Sequence, residues 1–224
     1  MNLATQYDNF AEDFSQNQSI GENSNDLNRA DFYMYIDFLK PGMRVLDAAC
    51  GDGTDLLHYV SLGVGAYGID ASAEMIKIAQ AKVANVPLIV GTFENMPYED
   101  NYFDAVLSKY ALMTSGDMEP AFKEIHRVLK PGGTMLYLVT HPFRHYFEKK
   151  NPQADYFKQE IVDSHILSGS VTVQEPSHTM NDFLSNFLFQ NFDVQTYRER
   201  WDPAAEQIDG RKYPGYFILK AVKR

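Results

Sequence analysis

The sequence predicts an α/β fold in which a mostly parallel sheet carries helices on both faces. Two observations predict it. Between Met43 and Thr140, short apolar runs alternate with helix-length segments, the signature of a parallel sheet with crossover helices. At 224 residues, with 45% hydrophobic and 22% charged residues, the chain also has ample length and apolar content for one large buried core. Right-handed crossovers then leave few topologies open.

The elements follow in order. Tyr7, Phe10 and Phe14 are spaced to share one face of a short helix within the polar opening segment. Asn25–Leu39 reads as a longer helix stopped by Lys40-Pro41-Gly42. Strands are expected at Met43–Ala48, Ala66–Ile69, Leu88–Val90, Phe103–Leu107 and Thr134–Thr140. Helices are expected at Thr54–Ser61, Ala73–Val83 and Glu119–Leu129, the last ended by Lys130-Pro131-Gly132-Gly133. From His141 to Ser177 the pattern becomes long, aromatic and irregular, with a hairpin around Gly169; a connection of that length suits a lid or binding loop. Thr179–Gln190 reads as a helix, and Phe192–Arg200 and Tyr216–Val222 as strands. The expected organisation is one domain over 1–224, with an N-terminal helical cap over 1–40 and an insertion over 142–178.

Twenty Lys and Arg against thirty Asp and Glu give a net charge of -10, which repels phosphate backbones and argues against a nucleic-acid partner. No run approaches the ~18 apolar residues that a membrane span requires. The opening MNLATQYDNFAEDF lacks the basic and apolar regions of a secretory signal, and Cys50 is the only cysteine. These features predict a cytoplasmic protein.

The strongest local signal is the run from Val45 to Thr54, VLDAACGDGT, where an apolar strand enters a glycine turn that opens a helix. Gly51 and Gly53 let a ligand approach the backbone, and the helix start offers free N–H groups to a carboxylate. A dinucleotide fold would use the same place. Leu56 occupies the position of its third glycine, however, and Asp47 suits a cationic amino group better than a pyrophosphate. Asp70 ends the next strand, where an acid can accept hydrogen bonds from ribose or cap the following helix.

The runs VLDAACGDGTD, GIDASAEMIKIA, GTFENMPYEDNYFDAVLS and IHRVLKPGGTMLYLV resemble the successive motifs of class I S-adenosylmethionine (SAM)-dependent methyltransferases. They are similar to the branch that includes ubiquinone and menaquinone biosynthesis enzymes. The resemblance covers Met43–Thr140 and implies a Rossmann-like, seven-stranded sheet whose last strand is antiparallel. It implies SAM as cofactor, with S-adenosylhomocysteine as product. By position, Asp47, Ala48, Ala49, Gly51 and Gly53 would hold the methionine portion and Asp70 the ribose. Ala71 and Met75 would flank the adenine. Thr92 and Phe93 stand where the family usually has an acid and a small residue, so the Thr92 hydroxyl and Phe93 N–H would replace the usual adenine contact. Ser108 would line the sulfonium, and Tyr7 and Arg29 would close over the cofactor.

Methyl transfer from a sulfonium needs alignment and exclusion of water more than a catalytic triad. The expected acceptor is a small molecule with an N, O or C nucleophile, held under the N-terminal segment and the insertion. Tyr110, Met113, His141, Phe143, His145, Tyr146 and His178 would form its wall. His141 is the first candidate for a base or substrate orienter, against the alternative of a strand-end hydrogen bond, and His178 is the second. His141 and His145 have the spacing of a metal pair but lack H-E-x-x-H and a third ligand, so no metal is expected. The open alternatives are an RNA or protein methyltransferase of the same fold, a non-catalytic SAM-binding protein and an NAD-dependent oxidoreductase. A monomer or homodimer is expected.

Overall fold

The computed structural model describes residues 3–18, 24–148, 155–166, 171–202 and 210–224. Within them, strands β1 (Arg44–Ala48), β2 (Gly65–Asp70), β3 (Leu88–Val90), β4 (Phe103–Lys109), β5 (Leu129–Thr140), β8 (Phe192–Arg200) and β9 (Tyr216–Lys223) form one sheet. Its order is β3-β2-β1-β4-β5-β9-β8; β9 runs antiparallel to both neighbours, and the remaining pairings are parallel. This is the seven-stranded, mostly parallel sheet with an antiparallel last strand that the motif order implied.

Alternating side chains explain why the strands read as continuous apolar runs: both faces are buried. Val45, Leu107, Leu138 and Ile218 join one cluster with Phe32, Leu56 and Tyr59. Leu46, Val106, Tyr137 and Phe217 join another with Phe122, Ile125 and Leu188. Helices α4 (Thr54–Ser61) and α3 (Ser24–Tyr33) cover the first face. Helices α6 (Met118–Val128) and α9 (Asn186–Asn191) cover the second. Strand order reverses between β1 and β4, so a crevice opens at their carboxyl ends, the place where open α/β sheets bind ligands.

Three elements differ from the sequence reading. The helix expected over 25–39 ends at Tyr33; beyond it the backbone tightens into i→i−3 turns, Met34 to Asp31 and Tyr35 to Phe32, with Phe32 and Ile36 buried. The helix expected over 179–190 is two short ones, α8 (Met180–Phe183) and α9. Phe183 and Leu188 are both fully buried, yet five helical positions would set them about 140° apart. Thr179 and Ser185 each start a helix as caps, which divides the run. The stretch 141–177 contains regular structure: α7 (Pro142–Glu148) and a hairpin of β6 (Ile161–Ile166) and β7 (Val171–Pro176). Gly169, at the expected turn, lies outside the described residues.

The opening segment forms α1 (Leu3–Asn9) and α2 (Ala11–Gln18), with the rings of Tyr7 and Phe10 in contact at 5.1 Å. Strand β9 is tied down by Lys223, only 8% exposed, whose ammonium donates to Asn101 Oδ1 (2.9 Å) and to the carbonyls of His126 and Leu129 (both 2.7 Å). A cation at the end of α6 satisfies carbonyls that the helix leaves open. Lys223→Met should therefore lower unfolding free energy by about 1–3 kcal/mol, because these acceptors lose their donor. Urea denaturation checks this, and an unchanged midpoint would contradict it.

Candidate functional site

Strand β1 delivers its last residues to the crevice. Beyond it Ala49, Gly51 and Gly53 all take positive φ (69°, 52° and 78°), so the chain folds into a tight loop rather than continuing the strand. The loop is pinned to β2: the N–H groups of Ala49 and Cys50 donate to the Ile69 carbonyl at 2.8 and 3.0 Å. Asp70 completes the anchor, its carboxylate accepting from the N–H of Gly51 (2.8 Å) and of Ser72 (2.9 Å). A carboxylate has about four acceptor positions, so Asp70 keeps capacity for a ligand's hydroxyls.

The two glycines do different work. A Cβ built at Gly51 meets nothing within 4 Å, so the open space beside it is available to a ligand. A Cβ at Gly53 would lie 3.0 Å from Ala79 Cβ, so Gly53 lets α4 start against α5 (Ala73–Lys82). Leu56, at the position of a dinucleotide fold's third glycine, is fully buried in the core.

Charge around the loop is strongly acidic. Asp47 is 4% exposed at the end of β1, and burial, reinforced by Asp55 and Asp70, pushes its carboxyl well above the usual range. The nearby cations face Asp55 instead: Arg29 at 2.8 Å and Lys109 at 3.1 Å, with the Tyr33 hydroxyl at 2.5 Å. Burial opposes ionisation of Asp55 too, but Lys109 and Arg29 win and hold it at about 2. Lys109 and Arg29 offset part of the effect at Asp47 as well, but burial and Asp55 outweigh them, so further positive charge beside Asp47 would favour its ionised form. Arg29, expected over the cofactor, is engaged with α4. Asp55, Tyr33 and Lys109 escaped the sequence reading, because only Asp55 carries a local signal, an acid in the first turn of a helix.

Helix α1 straps across the crevice. Asp8 accepts from the Ser72 hydroxyl (2.6 Å) and the Glu74 N–H (3.2 Å) at the start of α5. Gln6 exchanges two hydrogen bonds with the backbone of Gln174 on β7, at 2.9 and 3.1 Å. Tyr7 lies between these anchors; burial, then Glu175 and Asp70, push its phenol upward. Among the expected adenine neighbours, Met75 and Phe93 are buried, Ala71 is exposed, and the Thr92 carbonyl accepts from Asn95 N–H at 3.4 Å. The Ser108 hydroxyl donates to the Ala48 carbonyl at 2.9 Å and so ties β4 to β1 across the switch point.

The histidines separate. His141 is fully buried; its Nδ1 accepts from Phe143 N–H at 3.1 Å, so the proton sits on Nε2, 3.2 Å from Glu199 Oε1. Burial lowers its pKa, and with both nitrogens engaged no lone pair is left to accept a substrate proton. The geometry thus gives His141 the strand-end role in place of the base expected of it. His178 donates from Nε2 to the Met113 carbonyl at 2.9 Å, while its Nδ1 makes no hydrogen bond and lies 3.6 Å from Asp182 Oδ2. His145 pairs with Glu175 at 2.9 Å, an arrangement that sequence reasoning missed. His141 and His145 thus face different carboxylates, and no cluster of three metal-ligating side chains occurs among the described residues. The Tyr110 hydroxyl accepts from Asn28 at 2.6 Å.

An ionised Asp47 opposes folding, because its carboxyl titrates higher in the folded chain than in the unfolded one. The two states are matched at low pH, and the wild type loses stability as pH rises through the folded value. Asp47→Asn should therefore raise Tm at neutral pH, with a gain that vanishes in acid. Thermal melts across pH check this, and a variant less stable than wild type at neutral pH would contradict it.

Comparison with known proteins agrees with this geometry. Residues 46–137 match the family model described as a methyltransferase domain. A demethylmenaquinone methyltransferase of Corynebacterium kroppenstedtii is 38% identical over 96 residues, which are 43% of this chain and 41% of that protein. The chain thus matches less than half the length of such curated relatives. The solved 1,6-didemethyltoxoflavin-N1-methyltransferase of Burkholderia thailandensis, with bound 1,6-didemethyltoxoflavin and S-adenosylhomocysteine, superposes with a TM-score of 0.67 at 18% identity, covering 99% of this chain and 87% of that one. The [4+2]-cyclase SpnF superposes at 0.72 with 17% identity over 98% and 95% of the two chains. Likeness at such identities establishes the fold, which hosts more than one chemistry. In sheet topology and in the match over residues 46–137, the chain carries a methyltransferase domain, and its motif order resembles that of the class I SAM-dependent methyltransferases.

Proposed function

We propose that the protein transfers the methyl group of SAM to a small-molecule nucleophile. The observation that carries the reading is the buried Asp47 beside an open glycine loop, at the point where the strand order reverses. SAM matches this arrangement: its ammonium answers Asp47, its carboxylate the start of α4, and its ribose Asp70. Ala71, Met75, Thr92 and Phe93 would border the adenine. When bound, it supplies an activated methyl on a positively charged sulfur. The residues of this chain need only orient the acceptor and exclude water.

In this reading residues 1–40 act as a cap, with Tyr7 as its contact to the site, and residues 142–178 form the acceptor's lid. His178, whose Nδ1 makes no hydrogen bond, remains a candidate acceptor contact. The net charge of -10 favours a small acceptor over RNA. Among the described residues no helix is long and apolar enough to cross a membrane, and we place the activity in the cytoplasm.

Titration calorimetry with S-adenosylhomocysteine tests the proposal. Wild type should bind saturably. Asp70→Ala should weaken binding about tenfold or more, as loss of charge-assisted hydrogen bonds does. Gly51→Val should abolish it, by filling the open space and straining a positive φ. Unchanged affinity in both folded variants would contradict the site. His141→Ala should lower Tm and leave this affinity unchanged; a loss of affinity at unchanged Tm would contradict its structural assignment.

A further inference from the structure

The wall opposite the cofactor loop holds a buried acid–imidazole pair that nothing in cofactor binding uses. Glu175 on β7 is 1% exposed and His145 on α7 is 0% exposed, and His145 Nε2 lies 2.9 Å from Glu175 Oε1. Burying such a pair is costly unless its remaining polar atoms find partners. Here they do not: Glu175 Oε2 and His145 Nδ1 have no hydrogen-bond partner, and His178 Nδ1, three residues beyond Glu175, has no hydrogen bond and lies 3.6 Å from Asp182 Oδ2. Among the described residues six buried side-chain polar atoms lack a hydrogen-bond partner, and three of them belong to His145, Glu175 and His178. A structural pair would be satisfied by its surroundings, whereas a site that awaits a ligand leaves such atoms open.

The pair borders the proposed methyl-transfer crevice. Helix α1 runs from Gln174, next to Glu175, to Ser72, beside Asp70, through the hydrogen bonds of Gln6 and Asp8. Tyr7 therefore stands between Glu175 and Asp70, and its phenol responds to both. On another side His178 is bonded to Met113, in the turn that follows β4. A cleft of about 390 Å³ opens at His178, beside the pair rather than against it, and is lined also by Tyr156, Phe157 and Asp182. Aromatic side chains surround this end: Tyr156 stands 5.6 Å from Phe143 and 6.0 Å from Tyr146, ring to ring.

We propose that Glu175 is the catalytic base, with His145 as its positioning residue, and that the acceptor's nucleophile is a hydroxyl group on an aromatic ring. The assignment rests on the methyltransferase reading and adds the acceptor's chemistry to it. An open carboxylate oxygen calls for a proton donor. A carbon nucleophile loses its proton only after the bond to methyl has formed, and a neutral amine can likewise attack before it loses its proton. A phenolic hydroxyl must lose its proton as it attacks. In the balanced step the O–H bond breaks and its proton passes to Glu175 Oε2 as the O–CH3 bond forms. The S–CH3 bond breaks with its electron pair kept by sulfur. His145 holds Oε1, so that Oε2 faces the incoming hydroxyl.

The test uses 2-naphthol and its methyl ether, a matched pair with and without the hydroxyl, in equilibrium dialysis against full-length protein saturated with S-adenosylhomocysteine. Wild type should bind the naphthol about tenfold more tightly than the ether, the ratio expected of a hydrogen bond to a buried carboxylate. In Glu175→Gln and in His145→Asn that preference should fall to about threefold or less, while S-adenosylhomocysteine affinity stays within about twofold of wild type. Should Glu175→Gln not fold, His145→Asn carries the comparison. A wild type that binds the two probes equally, or neither, overturns the assignment, as does a preference that survives in the folded variants. A wild type that fails to bind S-adenosylhomocysteine overturns the methyltransferase reading itself, and this assignment with it.

Discussion

Asp47 holds a carboxylate in a place that water scarcely reaches, where burial, Asp55 and Asp70 all oppose its charge. The surrounding structure follows from keeping it there. Strand β1 is buried on both faces and ends at the reversal of strand order, so its final acid faces a crevice rather than a neighbouring strand. Arg29 and Lys109 stand near enough to neutralise it, but they are drawn to Asp55 at the start of α4. The result is a pocket that gains most from a ligand carrying positive charge, and the fold tolerates the cost in the absence of that ligand.

Much of this half was legible in the sequence because its signals are local. An apolar run, a glycine turn and an acid at the next strand's end lie within about one βαβ unit, and each has a single structural meaning in that context. Gly53 shows the limit of such reading: its place in the motif suggested ligand contact, and only the tertiary structure reveals that it also lets α4 pack against Ala79. Asp55 was passed over because its meaning depends on Arg29 and Lys109, one before it in the chain and one after, brought together only by the sheet.

The acceptor half was less legible for the same physical reason. His141 and His145 look equivalent in sequence, four residues apart. His141 meets Glu199, 58 residues away, and a backbone N–H that occupies its lone pair; His145 meets Glu175, 30 residues away, and keeps an open nitrogen. No periodicity or spacing distinguishes the two. The hairpin of β6 and β7 that carries Glu175 was foreseen only as an expected turn around Gly169, and its register with α1 through Gln6 and Gln174 is a tertiary fact. The cofactor loop is thus written in one stretch of chain, and the wall facing it in four.

The central claim is that the crevice recognises a cation through Asp47. The most direct measurement is the pH dependence of S-adenosylhomocysteine affinity in wild type and in Asp47→Asn. Because the free carboxyl titrates high and a bound ammonium favours its ionised form, wild-type affinity should rise with pH as Asp47 loses its proton and then level off. The variant should bind weakly throughout and show no such rise. Equal affinity in the two proteins, or a wild-type profile flat across acid and neutral pH, would contradict the account.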